Sequence, residues 1–328
     1  MNTTLKSNKD SRMKVDKYDI DIVYLWVDGN DPAWQAKRNA LIGAAEESSS
    51  VNCKGRYANN DELKFSLRSI EQHAPWIRNV YIVTDNQRPE WLDTNNPRVK
   101  IVDHTEIMPA ESLPCFNSDL IEHYLYQISG LAEHFIYAND DTMLNCDVQP
   151  CDFFTEEGFP IIRFSRKPFR KLRWFWREKI RRNPLKNYSK KVERASQLVF
   201  EKCGVYFTGM PHHNIDSYLR SDCRHVAEET LREEFLANIT HKVRNNDDVQ
   251  RVAFSYIALA EGRGKLHYVT QKESMIVRIH KPKDYVKFRK NSPTFFCMND
   301  SEYASDCDRQ RAVAFLEERF PDKSRFER

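Results

Sequence analysis

The sequence HFIYANDDTML at residues 134–144 joins an apolar run to two adjacent carboxylates. Residues 135–137 are apolar, as in a buried β-strand, and the run ends on Asn139, Asp140 and Asp141 before apolar residues resume. Like charges repel, so two carboxylates at a buried strand end are costly unless a cation meets them. Asn-Asp is also common in turns. Other segments of the sequence are needed to distinguish a turn from a site for Mg²⁺ or Mn²⁺.

Predicted strands and helices alternate around this run. Runs of β-branched and aromatic residues predict strands in segments 19–32, 79–86, 99–104 and 133–140, the first stopping at Asp28-Gly29. Helical spacing predicts helices over 61–74, with Asn59 and Glu62 as a capping box, and over 119–128. This alternation indicates an α/β fold in which helices cover both faces of a parallel sheet.

Three of the predicted strands end in acidic or amide side chains. These ends are Val27-Asp28, Thr84-Asp85-Asn86 and Asn139-Asp140-Asp141. In parallel sheets ligands bind beyond the carboxyl ends of the strands. We therefore expect Asp28, Asp85 and residues 139–141 to lie along one rim.

The composition is typical of a soluble globular protein, with 40% hydrophobic and 30% charged residues among 328. A net charge of +3 does not call for a nucleic-acid partner. The eight cysteines form no C-x-x-C pair and have no zinc spacing, which favours reduced thiols in the cytoplasm. Residues 1–17 predict a disordered tail that lacks the apolar core of a signal peptide. We expect a cytoplasmic protein, either soluble or peripheral at the inner face of the plasma membrane.

Residues 163–194 differ from the rest in charge. They contain 14 Lys and Arg against two Glu, a local net charge of +12, with aromatic residues interleaved. Basic and aromatic residues together suit an anionic membrane surface or another polyanion. Nucleic acid uses the same chemistry, and a helical insertion with merely solvated charges has the same composition. The segment leaves these alternatives open.

Further polar motifs interrupt apolar runs in the carboxy-terminal part, at GMPHHNID (209–216), HKVRNNDD (241–248) and FFCMNDSEYAS (295–305). With Asp140 and Asp141 they suggest phosphate chemistry. His212 is the natural general base for an acceptor hydroxyl, because its pKa lies near operating pH. Arg244 is a candidate for binding phosphoryl oxygens.

Arg68 lies about two helical turns after Asp61, so both side chains would meet one ligand. The sequence contains neither the P-loop motif nor the dinucleotide glycine motif, which argues against both of those nucleotide-binding types.

Several long segments resemble, in order, the conserved regions of the Stealth family. IDIVYLWVDGNDP, RYANNDELKFSLRSIEQHAPWIRNVYIVTDNQRPEWL and LPCFNSDLIEHYLYQISGLAEHFIYANDD resemble the first two regions. GMPHHNID with HKVRNNDDVQRVAFSYIAL resembles the third, and FFCMNDSEYAS the fourth. The resemblance runs from about residue 19 to about residue 305. The family contains bacterial capsule hexose-1-phosphate transferases and the catalytic subunit of the animal GlcNAc-1-phosphotransferase, and this short chain looks like a bacterial member.

The resemblance implies a GT-A-like, Rossmann-type nucleotide-sugar fold that carries a basic helical insertion. It places the family's catalytic positions on Glu122, Asp141, His212, Arg244 and Asp300. The metal, Mg²⁺ or Mn²⁺, would be held by Asp140, Asp141, Asn299 and Asp300. Substrate would contact Trp26, Val27, Asp28, Gly29, Asn60, Asp61, Arg68 and Asn139. We divide the chain into a nucleotide and metal half (18–160), the basic insertion (161–200) and an acceptor half (201–328).

The expected reaction moves a hexose-1-phosphate from a UDP-sugar to a saccharide hydroxyl. The favoured transferred group is N-acetylhexosamine-1-phosphate. The reaction would release UMP and serve capsule or surface polysaccharide synthesis. Direct attack with His212 as base and a covalent phospho-His212 intermediate both stay open. The alternatives are a metal-dependent GT-A glycosyltransferase that releases UDP and a polyanion-binding or membrane-surface protein without enzymatic activity.

Overall fold

The structure is a computed structural model that describes residues 17–42, 59–183, 185 and 187–328. Apart from Lys17, the predicted tail lies outside the described residues. The strands of the described part are β1 (Ile20–Leu25), β2 (Val80–Thr84), β3 (Val99–Asp103), β4 (His134–Asn139), β5 (Thr142–Leu144), β6 (Ile161–Ser165), β7 (Met210–Pro211), β8 (Asp216–Leu219), β9 (Lys265–Tyr268), β10 (Ser274–Arg278) and β11 (Phe295–Asn299).

The α-helices of the same part are α1 (Pro32–Ile42), α2 (Glu62–His73), α3 (His104–Ile107), α4 (Ser118–Glu122), α5 (Arg170–Phe175), α6 (Asn187–Cys203), α7 (Arg220–His225), α8 (Arg232–Ala237), α9 (Val252–Ala260), α10 (Pro282–Asn291) and α11 (Asp306–Arg319). Helices α5 and α7 each continue as a π-helical turn, Trp176–Ile180 and Val226–Thr230. None of the helices described here combines the length and the apolar character needed to cross a bilayer.

Among the described residues, five strands form the central sheet in the order β3-β2-β1-β4-β8. The first four are parallel and β8 runs antiparallel to β4. All four predicted strand segments are therefore confirmed as strands of one sheet. The α/β class and the shared rim follow from this topology, since parallel strands bring their carboxyl ends to the same edge.

Both faces of the central sheet are covered, as the continuous apolar strands require. Alternate residues of β1 enter different cores: Val23 packs in one cluster, and Ile22 and Tyr24 in the other. A third cluster joins the small sheet β10-β11-β5 to α11 through aromatic residues such as Phe296 and Phe315. The chain thus leaves the central sheet at the Asp140-Asp141 turn and enters the small sheet immediately, with β5 antiparallel to β11.

The predicted basic insertion divides into parts with different environments. Residues 161–165 form β6, which pairs with β7 and β9, and α6 packs Val192, Ala195 and Val199 into the main core. Residues 166–183, which we term the basic arm, contain no buried residue. Arg170 joins the arm to the core through contacts with Ser196 and with the Phe207 carbonyl. The division of the chain into a nucleotide half and an acceptor half stays a prediction.

An ion pair ties the end of the described chain to α2. The Arg68 guanidinium donates from Nε and Nη2 to both carboxylate oxygens of Glu327, at 2.8 and 2.7 Å, and from Nη1 to the Phe320 carbonyl. Both partners are largely buried. The Glu327 carboxylate raises the pKa of Arg68 further above its usual range. The pair therefore closes residues 320–328 onto α2.

We expect Arg68→Met to lower the free energy of unfolding by about 3 kcal/mol, because it leaves the buried Glu327 carboxylate without its cation. Urea denaturation followed by circular dichroism measures this. Arg311→Met is the matched control, since Arg311 pairs with Asp308 on an exposed helix surface and should cost less than about 1 kcal/mol. Equal stability of the two variants would contradict the structural role of the pair.

Candidate active site

A cavity of about 410 Å³ lies beyond the carboxyl ends of β1, β2 and β4. Asp85 and residues 139–141 line it, as the rim prediction requires. Asp28 lies beside the rim rather than in it: its carboxylate accepts from the Asn30 backbone and its own N–H donates to Gln87 Oε1. The cavity is walled by residues from both ends of the chain, so it forms only when the whole fold is assembled.

Three carboxyl groups crowd at the floor of this cavity. Asp140 and Asp141 follow β4, and Glu62 reaches them from the first turn of α2. Burial and the neighbouring Asp141 raise the pKa of Glu62 to about 7. Burial, Asp141 and Glu62 raise the pKa of Asp140 well above its usual range. Asp141 Oδ1 is buried and has no hydrogen-bond partner among the described residues.

This cluster answers the question raised by the two adjacent carboxylates. An acceptor oxygen that is buried and unpaired is costly, and carboxylates that raise one another's pKa lack a counter-charge. A divalent cation would supply both a partner for the unpaired oxygen and the missing positive charge. The residues present therefore fit a divalent metal.

The predicted capping box of α2 is wrong. Asp61, in the left-handed conformation with φ 62°, is the residue before the helix and makes no side-chain cap. Since the helix begins at Glu62, Asn59 is too early to cap it, and its Oδ1 accepts from the Asp61 N–H instead. Glu62 turns back to Asn60, accepting from its N–H and its Nδ2 at 2.8 and 2.7 Å. These bonds hold the Glu62 carboxylate in the cavity wall.

Asp141 also lies beside an imidazole and a thiol. Cys297 Sγ donates to Asp141 Oδ2 at 3.1 Å. One ligand atom each from Asp141, His213 and Cys297 lies within 4.8 Å of the other two. His213 has a left-handed backbone, with φ 57°, and burial lowers the pKa of its imidazole. Its ring faces the cavity in the neutral form.

A buried chain of polar contacts supports the opposite wall. Arg251 donates to Asp216 Oδ2 at 2.9 Å and to Glu122 Oε1 at 3.1 Å, and its guanidinium lies 4.4 Å from the centre of the Tyr137 ring. The Tyr137 hydroxyl lies 2.9 Å from Glu122 Oε1. His212 continues the chain, with Nε2 3.1 Å from Asp216 Oδ1. His212 and Arg251 hold the pKa of Asp216 at about 2 despite burial.

The remaining wall supplies positive charge. Arg244 Nη2 donates to Ser118 Oγ at 2.9 Å at the start of α4. Lys191, on α6, is buried and pairs with Asp119. Both cations line the cavity, so one charge of the predicted basic region belongs to the site.

The structure gathers most, but not all, of the predicted site residues in the cavity. Those that line it are Trp26, Val27, Glu122, Asn139, Asp140, Asp141, Arg244, Asn299 and Asp300. Those that do not are Asp28, Gly29, Asn60, Asp61, Arg68 and His212. The physical reason is that several are engaged elsewhere. Arg68 binds Glu327 and Asp61 binds Lys64.

His212 is the most consequential of the predicted residues that lie outside the cavity lining. Its Nδ1 lies 2.9 Å from Ser274 Oγ, its Nε2 is held by Asp216, and it is 4% exposed. Both ring nitrogens are therefore engaged away from the cavity. The next residue, His213, takes the cavity position, because the left-handed backbone at His213 turns the two side chains in different directions.

Asp300 lines the cavity but is neutralised. Its two carboxylate oxygens accept from Arg309 at 2.8 and 3.3 Å, so its negative charge already has a counter-ion. The site prediction did not include several residues that lie in or beside the cavity, namely Glu62, His213, Cys297, Arg251 and Lys191. The His-His pair and the cysteine two residues before Asn299 were the available signals. Nothing local marks Glu62 or Arg251 as parts of the site.

We expect Asp216→Asn to lower the free energy of unfolding by about 2 kcal/mol at pH 7. The folded-state pKa of about 2 lies below the ordinary 3.8. The contribution is therefore present above pH 3.8 and is lost as the pH falls toward 2. Urea midpoints of both proteins between pH 7 and pH 3 measure the difference, which should shrink in acid.

The control for this series is Asp247→Asn, because Asp247 pairs with Lys190 where both side chains are exposed. It should change stability by less than about 1 kcal/mol. A pH-independent difference between Asp216→Asn and the unmodified protein would contradict the ionic role of Asp216.

Two family models match the amino-terminal half of the chain. "Stealth protein CR1, conserved region 1" matches residues 18–44, and "Stealth protein CR2, conserved region 2" matches residues 56–162. The capsular polysaccharide phosphotransferase WcwK of Streptococcus pneumoniae is 31% identical over 94% of this chain and 99% of that protein. An exopolysaccharide phosphotransferase of Streptomyces coelicolor is 51% identical over 45% of this chain. The receptor polysaccharide phosphotransferase WefC of Streptococcus oralis is 44% identical, again over 45% of this chain.

The match spans only 25% of the Streptomyces protein and 45% of WefC. Among solved structures, the galactosyltransferase LgtC, in complex with donor and acceptor sugar analogs, has a TM-score of 0.45 at 11% identity, covering 93% of this chain and 98% of its own. The glycosyltransferase GlyE of Streptococcus pneumoniae has a TM-score of 0.40 at 9% identity, covering 88% and 56%. Both TM-scores lie below 0.5. The alignment with WcwK covers nearly the whole of both proteins and the two family models match in order, so the chain belongs to the Stealth family.

Proposed function

We propose that this protein transfers a hexose-1-phosphate, of the N-acetylhexosamine type, from a UDP-sugar to a saccharide hydroxyl. The reaction forms a phosphodiester, releases UMP and serves capsule or surface polysaccharide synthesis. The relatives named as polysaccharide phosphotransferases support the phosphoryl chemistry. The observation that carries the proposal is one cavity in which carboxyl groups without a cationic partner among the described residues, Asp140 and Asp141, face Arg244, Lys191 and the imidazole of His213.

Asp140 and Asp141 would hold Mg²⁺ or Mn²⁺, with Asn299 beside them. The fit rests on the buried, unpartnered Asp141 Oδ1 and on the raised pKa values of Asp140 and Glu62. When bound, such a cation neutralises diphosphate oxygens. Asp300 is proposed as a support for this loop rather than a ligand, since Arg309 already holds both of its oxygens.

Arg244 and Lys191, which line the cavity near the start of α4 and on α6, would bind the donor phosphates. A guanidinium matches phosphoryl oxygens in geometry and charge, and phosphoryl transfer depends mainly on positioning and charge stabilisation. Trp26 and Val27, at the end of β1, would form the wall against the nucleoside. Glu122 and Arg251 line the cavity as a fixed polar pair.

We assign the acceptor base to His213, because it faces the cavity and its lowered pKa leaves the imidazole neutral. The imidazole takes the proton of the acceptor hydroxyl, and the oxygen forms a bond to the β-phosphorus. The bond from that phosphorus to the bridging oxygen breaks, and UMP leaves with that oxygen. His212 is a positioning residue that anchors the segment through Ser274 and Asp216.

A UDP-sugar labelled in its β-phosphate distinguishes the atoms attacked. We expect the label in a phosphodiester-linked saccharide, UMP formed one for one, and no transfer in EDTA. His213→Gln should lower turnover by about 10²–10⁴-fold, and Arg244→Ala by a similar factor. His225→Gln, at a half-buried histidine outside the cavity that pairs with Glu229, should retain full turnover.

If UDP is released and the product carries no label, the phosphoryl-transfer proposal is wrong and the glycosyltransferase alternative is favoured. Full turnover of His213→Gln would remove His213 from the role of base, and His212→Gln then tests the original assignment. The donor panel should include several UDP-sugars, so that the assay identifies the hexose that is transferred.

The protein is further proposed to bind an anionic membrane surface through the basic arm. The arm holds nine Lys and Arg against one Glu. Phe169, Leu172, Trp176 and Ile180 recur at helical spacing and are 70%, 65%, 44% and 61% exposed. An exposed apolar stripe flanked by cations is the signature of a helix lying in the lipid interface. This placement would put the enzyme at the inner face of the plasma membrane.

Phosphatidylglycerol-containing vesicles should sediment the protein, and phosphatidylcholine vesicles should not. Binding should weaken with salt, because each basic residue contributes about 1 kcal/mol that ions screen. Phe169→Ser with Leu172→Ser and Ile180→Ser should lose most binding while keeping turnover on a soluble acceptor. Val286→Ser is the control, since Val286 is 65% exposed outside the arm. If the triple variant binds vesicles as well as the unmodified protein does, the apolar stripe has no role in membrane binding, and an arm whose charges are merely solvated is favoured.

A further inference from the structure

Cys297 is an unexpected neighbour for a site of hard, oxygen-bound cations. It is buried on β11, and its thiol donates to Asp141 Oδ2 at 3.1 Å. Mg²⁺ takes oxygen ligands and gains nothing from sulfur. Thiolate and imidazole ligands select softer cations, of which Zn²⁺ is the commonest. The chemistry around Asp141 therefore differs from that of Asp140 and Glu62.

The three ligand-bearing residues come from separate, well-fixed elements. Asp141 follows β4, and its carbonyl accepts from the Met298 N–H at 2.8 Å. Cys297 is held by strand pairing to Thr142 on one side and Ile276 on the other. His213 is anchored through its neighbours, because His212 and Asn214 both contact Ser274 Oγ. His213 itself lies in the connection between β7 and β8, and these contacts of its two neighbours hold that connection in place.

The spacing suits a small coordination sphere. Metal–ligand bonds of about 2.0–2.3 Å in a tetrahedral site put neighbouring ligand atoms about 3.5 Å apart. The three ligand atoms already lie within 4.8 Å of one another, so small side-chain movements suffice. The cavity beside them leaves a fourth position for water or another ligand, as in open zinc sites.

We infer that Asp141, His213 and Cys297 form a binding site for a thiophilic divalent cation of the Zn²⁺ class, in which Cys297 binds through sulfur. Metal binding replaces the thiol proton, which leaves to solvent. A cation held there occupies Asp141 and the imidazole of His213. It would therefore inhibit transfer, a consequence that rests on the proposed function, whereas the binding itself does not.

Titration of the full protein with Co²⁺, without nucleotide sugar, tests the site directly. We expect a thiolate-to-cobalt charge-transfer absorption in the unmodified protein, and its loss when Zn²⁺ displaces Co²⁺. Cys297→Ser keeps a donor for Asp141 but should show no such absorption and should bind Zn²⁺ more than about tenfold less tightly. His213→Ala should weaken binding while retaining the absorption. Circular dichroism of the metal-free variants establishes that each is folded.

Cys223→Ser is the matched control, since Cys223 is equally buried and lies outside the cavity. It should behave as the unmodified protein. No charge-transfer absorption in the unmodified protein, or the same absorption in Cys297→Ser, would overturn the proposal. Either result leaves the phosphodiester assay unaffected, so a failure of this site and a failure of the proposed function are distinguishable.

Discussion

The buried guanidinium of Arg251 is the interaction on which the site depends. A charge removed from water is costly unless carboxylates and hydrogen bonds replace the solvent. Arg251 has both, with Glu122 on one side and Asp216 on the other, above the Tyr137 ring. These groups belong to α4, β8 and β4, so the cation joins three elements of the main core. Loss of either carboxylate would leave the buried guanidinium with one counter-ion and with an N–H group that lacks an acceptor.

This arrangement divides the acids in and behind the cavity wall into two kinds. Glu122, Asp216 and Asp300 each have an arginine, and their negative charge serves to position other groups. Glu62, Asp140 and Asp141 have no such partner among the described residues, and burial and mutual repulsion raise the pKa values of Glu62 and Asp140. The fold tolerates that repulsion at the carboxyl end of the central sheet, where ligands bind in proteins of this class.

The parallel strands and their acidic ends could be predicted from the sequence because these signals are local. An apolar run followed by Asn139-Asp140-Asp141 carries its own pattern. The sequence could not predict which of His212 and His213 faces the cavity, because this depends on one left-handed backbone angle. The capping box failed for a similar reason at Asp61. Glu62 and Cys297 enter the site only through contacts between segments that are distant in sequence.

The ion pair between Arg68 and Glu327 joins residues 259 positions apart. During synthesis Arg68 emerges early, and its counter-ion emerges 259 residues later. The surface of α2 that residues 320–328 cover therefore stays open to water until that segment has been made. Long-range closure of this kind slows folding and prolongs the exposure of apolar surface. The Phe320 and Phe326 side chains, both nearly fully buried in the final fold, cover that surface once their segment has been made.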